Sequence, residues 1–455
     1  MSYAPYPKYK LLETIEITKL PADWRNIRLK FIATYNDEAL PENTQPDTEI
    51  VYVDISSVSL SCGILKTDEI TFEKAPSRAR RIVRNGDTIV STVRTYLKAI
   101  ASIVNPPENM VVSTGFAVIR PTERIQNAYL SYCLQSQPFV DSVVANSVGV
   151  SYPAINAPLL ACIRVAYPNS LEEQTQIANF LDYKTAQIDQ LIEKKKQLIA
   201  KLNEKRIAVI TQAVTKGLDP SVPMKDSGVE WLGEVPEHWE VKRLKFLAVE
   251  PLKYGANESA ELTDREFPRY IRISDVKEDG SLYEETFRSL EPEIAEPYLL
   301  NEGDILLARS GATVGKCFIY EATWGTAAYA GYLIRFRTDK ELISAAYGYY
   351  FLRSAVYWAN INSTLIQSTI QNFSAEKFGN IVLPVPSLNE QKAILKYIQN
   401  EKSQIDKAEL LAKDAVAKLL EYRTALITAA VTGKIDVRDI KIPSQTEPEL
   451  EEAMV

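Results

Sequence analysis

A single histidine, His238, is the first test of whether this chain of 455 residues catalyses anything. Triads built on histidine and His-rich metal sites need more than that inventory offers. His238 also faces an aspartate, Asp23, at the matching place of an internal repeat described below, so it reads as a surface or turn residue. Other stretches only imitate catalytic motifs. Asn105-Pro-Pro-Glu108 begins like the motif with which amino-methyltransferases hold a flipped base, but it lacks the aromatic ring on which the base stacks. No Gly-rich turn follows a first strand to cradle S-adenosylmethionine. The run from Gly311 to Cys317 is one residue short of a phosphate loop and puts a cysteine where a magnesium-binding hydroxyl belongs. Glu193-Lys-Lys lies in a helical pattern with no partnering acidic strand, so a nuclease centre lacks support. Cys62, Cys133, Cys162 and Cys317 are scattered without a C-x-x-C pair, which argues against a zinc ribbon, a redox dithiol or a disulfide framework. They read as small buried apolar residues. The expectation is a non-catalytic chain with no cofactor of its own.

Binding is the remaining chemistry. The net charge of -7 does not favour nucleic acid, because phosphate contacts supply most of such affinity. Any DNA surface must be local, and one cluster fits: Arg78, Arg80, Arg81 and Arg84, followed by Arg94, Tyr96 and Lys98. The same cluster also suits an ordinary solvated face. No segment approaches the roughly 20 apolar residues that span a bilayer, and the first residues lack an apolar run after a basic stretch, so a cytoplasmic chain is expected.

The elements that would position these residues come in two copies. Residues 171–219 align without gaps on 388–436 with about 19 identities. PADWRNIRLKFIA from Pro21 matches PEHWEVKRLKFLA from Pro236, and Asn85-Gly-Asp and Glu302-Gly-Asp each precede a β-branched run. Each copy runs from a Trp marker through a variable globular region to a long helix. The expected organisation is a globular domain over 1–169, a helix over 170–217, a second globular domain over 218–386, a second helix over 387–434 and an acidic tail over 435–455. In that tail Glu447, Glu449, Glu451 and Glu452 sit among prolines, a composition of disorder.

Both helices start at capping boxes, Ser170-x-x-Glu173 and Ser387-x-x-Glu390, after Pro168 and Pro386, and both end at glycines, Gly217 and Gly433. About 44 residues at 1.5 Å each make a rod of roughly 66 Å. A heptad frame puts Ile177, Leu181, Ile188, Leu191, Leu198, Leu202 and Val209 on one seam, interrupted by Lys184, Lys195 and Lys205. It puts Ile394, Ile398, Ile405, Ala408, Ala412, Ala415, Leu419, Tyr422 and Leu426 on the other. The helices are expected to pair as an antiparallel coiled coil, because a globular domain lies between them; the alternative is that each packs on its own domain. The globular regions mix strand-like runs (Glu49–Val53, 88–93, 111–119, 304–307, 332–336) with helical ones (128–144, 345–358), giving an α+β class.

The stretch SGVEWLGEVPEHWEVKRLKFLA (227–248), the phrase PVPSLNEQKAILKYI (384–398), its partner NSLEEQTQIANFLD and the Gly-Asp strand motif of each half resemble the specificity subunit of type I restriction-modification systems over essentially the whole chain. The segment YKLLETIEITKLPADW departs from that pattern as a degenerate version of what precedes Trp239. The resemblance implies two target recognition domains reading the halves of an asymmetric bipartite site in double-stranded DNA, held apart by the helices as a molecular ruler. It implies two methyltransferase subunits as partners, joined by restriction and translocase subunits. A pseudo-twofold repeat can present matching surfaces to two identical partners, while two different half-sites require divergent reading surfaces.

Polar residues in the loops after the Gly-Asp strands are the expected base readers: Arg94, Tyr96 and Lys98 in the first half, and Arg309, Ser310, Thr313 and Lys316 in the second. Arginine can bond guanine bidentately, and Gln or Asn can bond adenine. Gln367, Ser368, Thr369 and Gln371 form a second polar cluster, matched by Ser147, Ser151 and Tyr152. Competing readings are a self-contained methyltransferase or nuclease with duplicated DNA-binding regions, and a coiled-coil structural adaptor with no DNA role.

Overall fold

A computed structural model describes residues 3–12, 17–277, 280–366 and 372–443. The long helices are Leu171–Lys216 and Leu388–Val431, of 46 and 44 residues. At their starts the Glu173 N–H donates to Ser170 Oγ at 3.2 Å and the Glu390 N–H to Ser387 Oγ at 3.3 Å. The second box closes reciprocally, with the Ser387 N–H on Glu390 Oε2 at 3.3 Å. Gly217 and Gly433 end the helices in the left-handed region, at φ +76° and +67°, a conformation that costs glycine nothing.

The chain divides into two units, Met1–Lys196 with Lys413–Val455, and Gln197–Ala412, so each long helix begins in one unit and ends in the other. In the first unit Ile177, Leu181, Ile188 and Ile192 share a core with Leu426, Ile427, Ala430 and Val431. Each buried Ile, Leu and Val side chain among them contributes about 1.5–3 kcal/mol. Gln176 Nε2 donates to the Ile440 carbonyl at 2.8 Å, while further along the helix Asp189 accepts from Arg423 Nε at 2.9 Å, so the helices run antiparallel. In the second unit Ile210, Ala213 and Val214 share a core with Ile394 and Ile398, and Arg206 reaches Asp406 at 2.8 Å and Glu409 at 2.6 Å. The two ion pairs are the same pair exchanged, since Arg206 aligns with Arg423 and Asp189 with Asp406 in the repeat. In each unit helix pairing and packing on the globular domain therefore occur together.

The heptad frame needs correction in the middle. Leu191 and Leu198 are 47% and 41% exposed, and Tyr422 is exposed as well, whereas Ile192 faces inward. A straight helix drifts about 20° per heptad against a 3.5-residue repeat, so a strict frame leaves the seam after two or three heptads.

Each Trp marker locks a junction between helices and globular domain. Trp24 Nε1 donates to Glu173 Oε1 at 2.9 Å and Trp239 Nε1 to Glu390 Oε1 at 3.2 Å. Trp24 also lies against Gly433 and Trp239 against Gly217; an added Cβ would press on the Trp239 ring at Gly217 and on Pro21, beside Trp24, at Gly433. Both indoles are buried. His238, beside the second one, places Nε2 at 2.7 Å from Glu390 Oε1.

The first globular domain holds two four-stranded sheets. One is antiparallel, in the order Ile100–Ser102, Thr88–Ser91, Phe116–Pro121, Ala33–Tyr35; the other runs Asp68–Thr71, Glu49–Val53, Met110–Ser113, Ala79–Ile82 with a parallel central pair. The second domain repeats the first sheet with Lys253–Tyr254, Leu333–Phe336, Ile305–Ala308 and Cys317–Ile319. Its parallel pair joins Arg269–Ile271 to Ala327–Tyr329. The expected run 111–119 is two strands, because the chain passes from one sheet to the other at Thr114 and Gly115. The run 128–144 splits into Asn127–Gln135 and Gln137–Ala145 at Ser136, just before Pro138, whose ring nitrogen cannot donate to a continuing helix. The run 345–358 splits likewise into Ala345–Phe351 and Ala355–Ile366.

The divergent N-terminal segment nevertheless forms the hairpin of its counterpart: Tyr9 pairs with Pro21 as Met224 pairs with Pro236. Cys133 and Cys317 are buried as expected, but Cys62 is exposed and Cys162 half-buried, because they sit in turns and not in the core. The acidic tail residues lie outside the described residues. Among the described residues no helix is long and apolar enough to cross a membrane, and no group of three His, Cys, Asp or Glu could hold a metal ion.

Candidate nucleic-acid interface

The Gly-Asp motif anchors the strands that carry the candidate loops. Asp87 and Asp304 are buried, which is costly for a carboxylate unless its charge and lone pairs are met. Arg120 meets Asp87 with two parallel bonds, Nε to Oδ1 at 2.9 Å and Nη2 to Oδ2 at 2.8 Å; Arg337 meets Asp304 the same way at 2.8 and 2.7 Å. Each aspartate also accepts the backbone N–H three residues back, from Arg84 and from Asn301, both at 2.8 Å. Such bidentate pairs fix orientation as well as charge. The motif is thus a peg for one end of Thr88–Ser91 and Ile305–Ala308, whose other ends open into the loops.

Those loops share one backbone frame. The Ser91 N–H donates to the Ala99 carbonyl at 2.9 Å, as Ala308 does to Lys316 at 2.8 Å. Thr92 donates to Gly115 at 2.8 Å and accepts from Ile155 at 2.9 Å; Arg309 donates to Tyr332 at 3.0 Å and accepts from Phe373 at 2.8 Å. Isolated bridges Val93 to Ala154 and Ser310 to Asn372 complete the match. Arg309 is therefore the counterpart of Thr92, and Arg94 is the counterpart of Gly311.

In the first half the frame gathers Arg94, Tyr96, Lys98, Ser147, Ser151 and Tyr152. The Arg94 guanidinium lies 4.9 Å from the centroid of the Tyr152 ring, and Thr95 Oγ1 donates to Ser147 Oγ at 2.8 Å. Tyr96 and Tyr152 are largely exposed. Arg94 and Lys98 both occupy the left-handed region, at φ +51° and +52°, which costs an L-residue roughly 1–2 kcal/mol.

The arginines from 78 to 84 do not form one patch with this loop. Arg78 comes near it, because the Thr114 N–H bonds the Arg78 carbonyl beside Gly115. Its side chain, however, is bonded to Tyr52 Oη at 3.2 Å and paired with Asp54 at 2.7 Å along an open cleft of about 830 Å³. Burial works against the Asp54 charge, yet bonds from Ser56 and Tyr52 and the Arg78 cation hold its carboxyl below the usual range. Arg80 stacks on Phe72 at 4.4 Å. Arg81 is half-buried, its Nε shielded from solvent without a partner. Arg84 lies at the other end of the strand and pairs with Glu38 at 2.8 Å. Its bond and that of Arg120 hold the Glu38 carboxyl below its ordinary value.

In the second half Arg309 lies 4.6 Å from the Tyr254 ring centroid, with Nε 3.4 Å from Asn372 Oδ1. Ser310 and Thr313 are half-buried and Lys316 is exposed. Gln367, Ser368, Thr369 and Gln371 lie outside the described residues. The structure adds residues the sequence reading passed over: Tyr254, exposed Tyr332 and Asn372 around Arg309, and exposed Val148 and Val150 beside Tyr152. Tyr254 precedes the loop by more than fifty residues, so only the pairing of Lys253–Tyr254 with Leu333–Phe336 reveals it.

Comparison with known proteins agrees with the duplicated architecture. The family model described as type I restriction modification DNA specificity domain matches residues 21–203 and again 236–412. The type I restriction enzyme MjaVIII specificity subunit of Methanocaldococcus jannaschii is 26% identical over 362 residues, which cover 73% of this chain and 76% of that one. The type I restriction enzyme EcoKI specificity subunit of Escherichia coli is 23% identical over 325 residues, covering 70% and 68%. A chain solved in work on complex assembly and conformational transition of the type I R-M system has the same fold, with a TM-score of 0.70 at 22% identity, over 91% of this chain and 99% of that one. With two matches that together take in well over half of its length, the chain belongs to the type I restriction modification DNA specificity domain family.

Proposed function

We propose that this chain is the DNA sequence-recognition subunit of a type I restriction-modification complex. It is a non-catalytic, cytoplasmic subunit. Each globular domain reads one half of an asymmetric bipartite site, and the helices fix the separation of the halves. Two methyltransferase subunits supply adenine methylation, and restriction and translocase subunits join the same scaffold. The kinship with named specificity subunits favours this reading over a self-contained methyltransferase or nuclease and over an adaptor without a DNA role.

The observation that carries the reading is one frame with two surfaces. The hydrogen bonds that frame the two loops at residues 91, 92 and 94 recur at their counterparts 308, 309 and 311, while the side chains projecting from the loops differ at the counterpart positions 92, 94, 98 and 99. Arg94, Tyr96, Lys98, Ser151 and Tyr152 form the first reading surface, with Arg78, Arg80, Arg81 and Arg84 as outlying cations. Arg309, Ser310, Thr313 and Lys316 form the second, and Gln367, Ser368, Thr369 and Gln371 are further candidate contacts from the sequence of that half. The test is methylome mapping of the chain assembled with its methyltransferase. Arg309→Ala is expected to relax one half-site and leave the other untouched; loss of both, or of neither, contradicts the reading.

A further inference from the structure

The second repeat shows what the loop frame itself requires. At the two left-handed positions it has Gly311 and Gly315, at φ +72° and +86°. The bond at the first is kept, Val314 N–H to the Gly311 carbonyl at 3.1 Å as Leu97 N–H to the Arg94 carbonyl at 2.9 Å, whereas at the second Gly315 donates to Ala308 and Lys98 to Thr95. The first repeat places Arg94 and Lys98 there. Glycine would satisfy the frame without strain, so the backbone is not what calls for a cation at either position.

Nor do the side chains repay the strain inside the protein. The Arg94 guanidinium makes no hydrogen bond or ion pair among the described residues; its one described partner is the face of Tyr152, itself 65% exposed. A ring under a guanidinium fixes the plane of the fork and leaves its N–H donors pointing outward. The second half mounts its guanidinium two positions earlier, at Arg309, and braces it on a ring from another strand, Tyr254.

We infer that Arg94 determines the specificity of the first half-site by donating two bonds to the O6 and N7 of a guanine, with Lys98 neutralising a phosphate beside it. The guanine met by Arg309 then stands at a different place relative to its domain, which makes the two half-sites unlike. This rests on the DNA-reading role proposed above and assigns the chemistry of one of its surfaces.

The experiment uses the full chain assembled with its methyltransferase subunits, with Arg94→Gly and Lys98→Gly as variants. Arg94→Gly is expected to melt at the same temperature as the parent or higher. It should bind the cognate duplex roughly tenfold to a hundredfold more weakly. The methylome should lose one guanine requirement in one half-site only. Replacing that guanine with 7-deazaguanine, which lacks the N7 acceptor, should weaken the parent and leave Arg94→Gly unaffected. Lys98→Gly should weaken binding to every sequence and flatten its salt dependence. Unchanged affinity and site in Arg94→Gly would overturn the inference, as would a lowered melting temperature with both half-sites lost. A parent that methylates no bipartite site would instead sink the DNA-reading role itself.

Discussion

At the helix junctions Trp24 and Trp239 make the same indole bond to the equivalent glutamate of a capping box, and each lies against a glycine that ends a long helix. At the loops the same backbone bonds hold Thr92 in one copy and Arg309 in the other, and Arg94 in one and Gly311 in the other. The junctions face an environment that does not change between copies, the ends of two equivalent helices. The loops face outward, and their drift on a fixed frame is what two different ligands would select. A repeat within one chain thus separates residues that hold the structure from residues that read something, without any second sequence.

The comparison makes the junctions the most costly place to cut. Trp24→Ala and Trp239→Ala should each destabilise the protein by about 3–5 kcal/mol, measured by denaturant unfolding. Unequal losses would break the equivalence of the two junctions. Arg120→Ala and Arg337→Ala should cost less, about 2–3 kcal/mol, because each leaves a buried aspartate unpaired while the arginine itself keeps some contact with water. An unfolding midpoint that stays put in either variant would show that the Gly-Asp motif is no peg.

The smallest effect is acid sensitivity of the second junction. Burial opposes the Glu390 charge, but bonds from His238, Trp239 and Ser387 win and hold its carboxyl below the ordinary 4.5. A depressed carboxylate stabilises the fold above its unfolded value, and that share is lost as pH falls through the lower folded value. Glu390→Gln should therefore flatten the decline in melting temperature below about pH 4.5. A decline as steep as the parent's would assign the acid loss to other groups.

Much of this was legible in the sequence, where the physics is local. Capping serines, terminal glycines and the duplicated Trp marker announced the helices and their order. The heptad seam was legible only near its ends: it put Leu191 and Leu198 inside, because a strict repeat ignores the drift of a real helix. The Gly-Asp motif was legible as a strand marker but not as a peg, since Arg120 lies thirty-three residues from Asp87. The pairing of Arg84 with Glu38, far upstream, was not legible either. Arg94 stands about seven residues after Asp87 and Arg309 about five after Asp304, so their offset was countable in the sequence, and the backbone bonds agree with it.

The central claim is that two equivalent frames carry two independent readers. Its most direct test replaces residues 24–168 with residues 239–385, so that both positions hold the second domain and Trp239 meets Glu173 in place of Trp24. The exchanged chain is expected to fold, assemble with its methyltransferase and methylate an inverted repeat of one parental half-site, as a methylome would show. A folded, active assembly that still methylates the parental asymmetric site would contradict the claim.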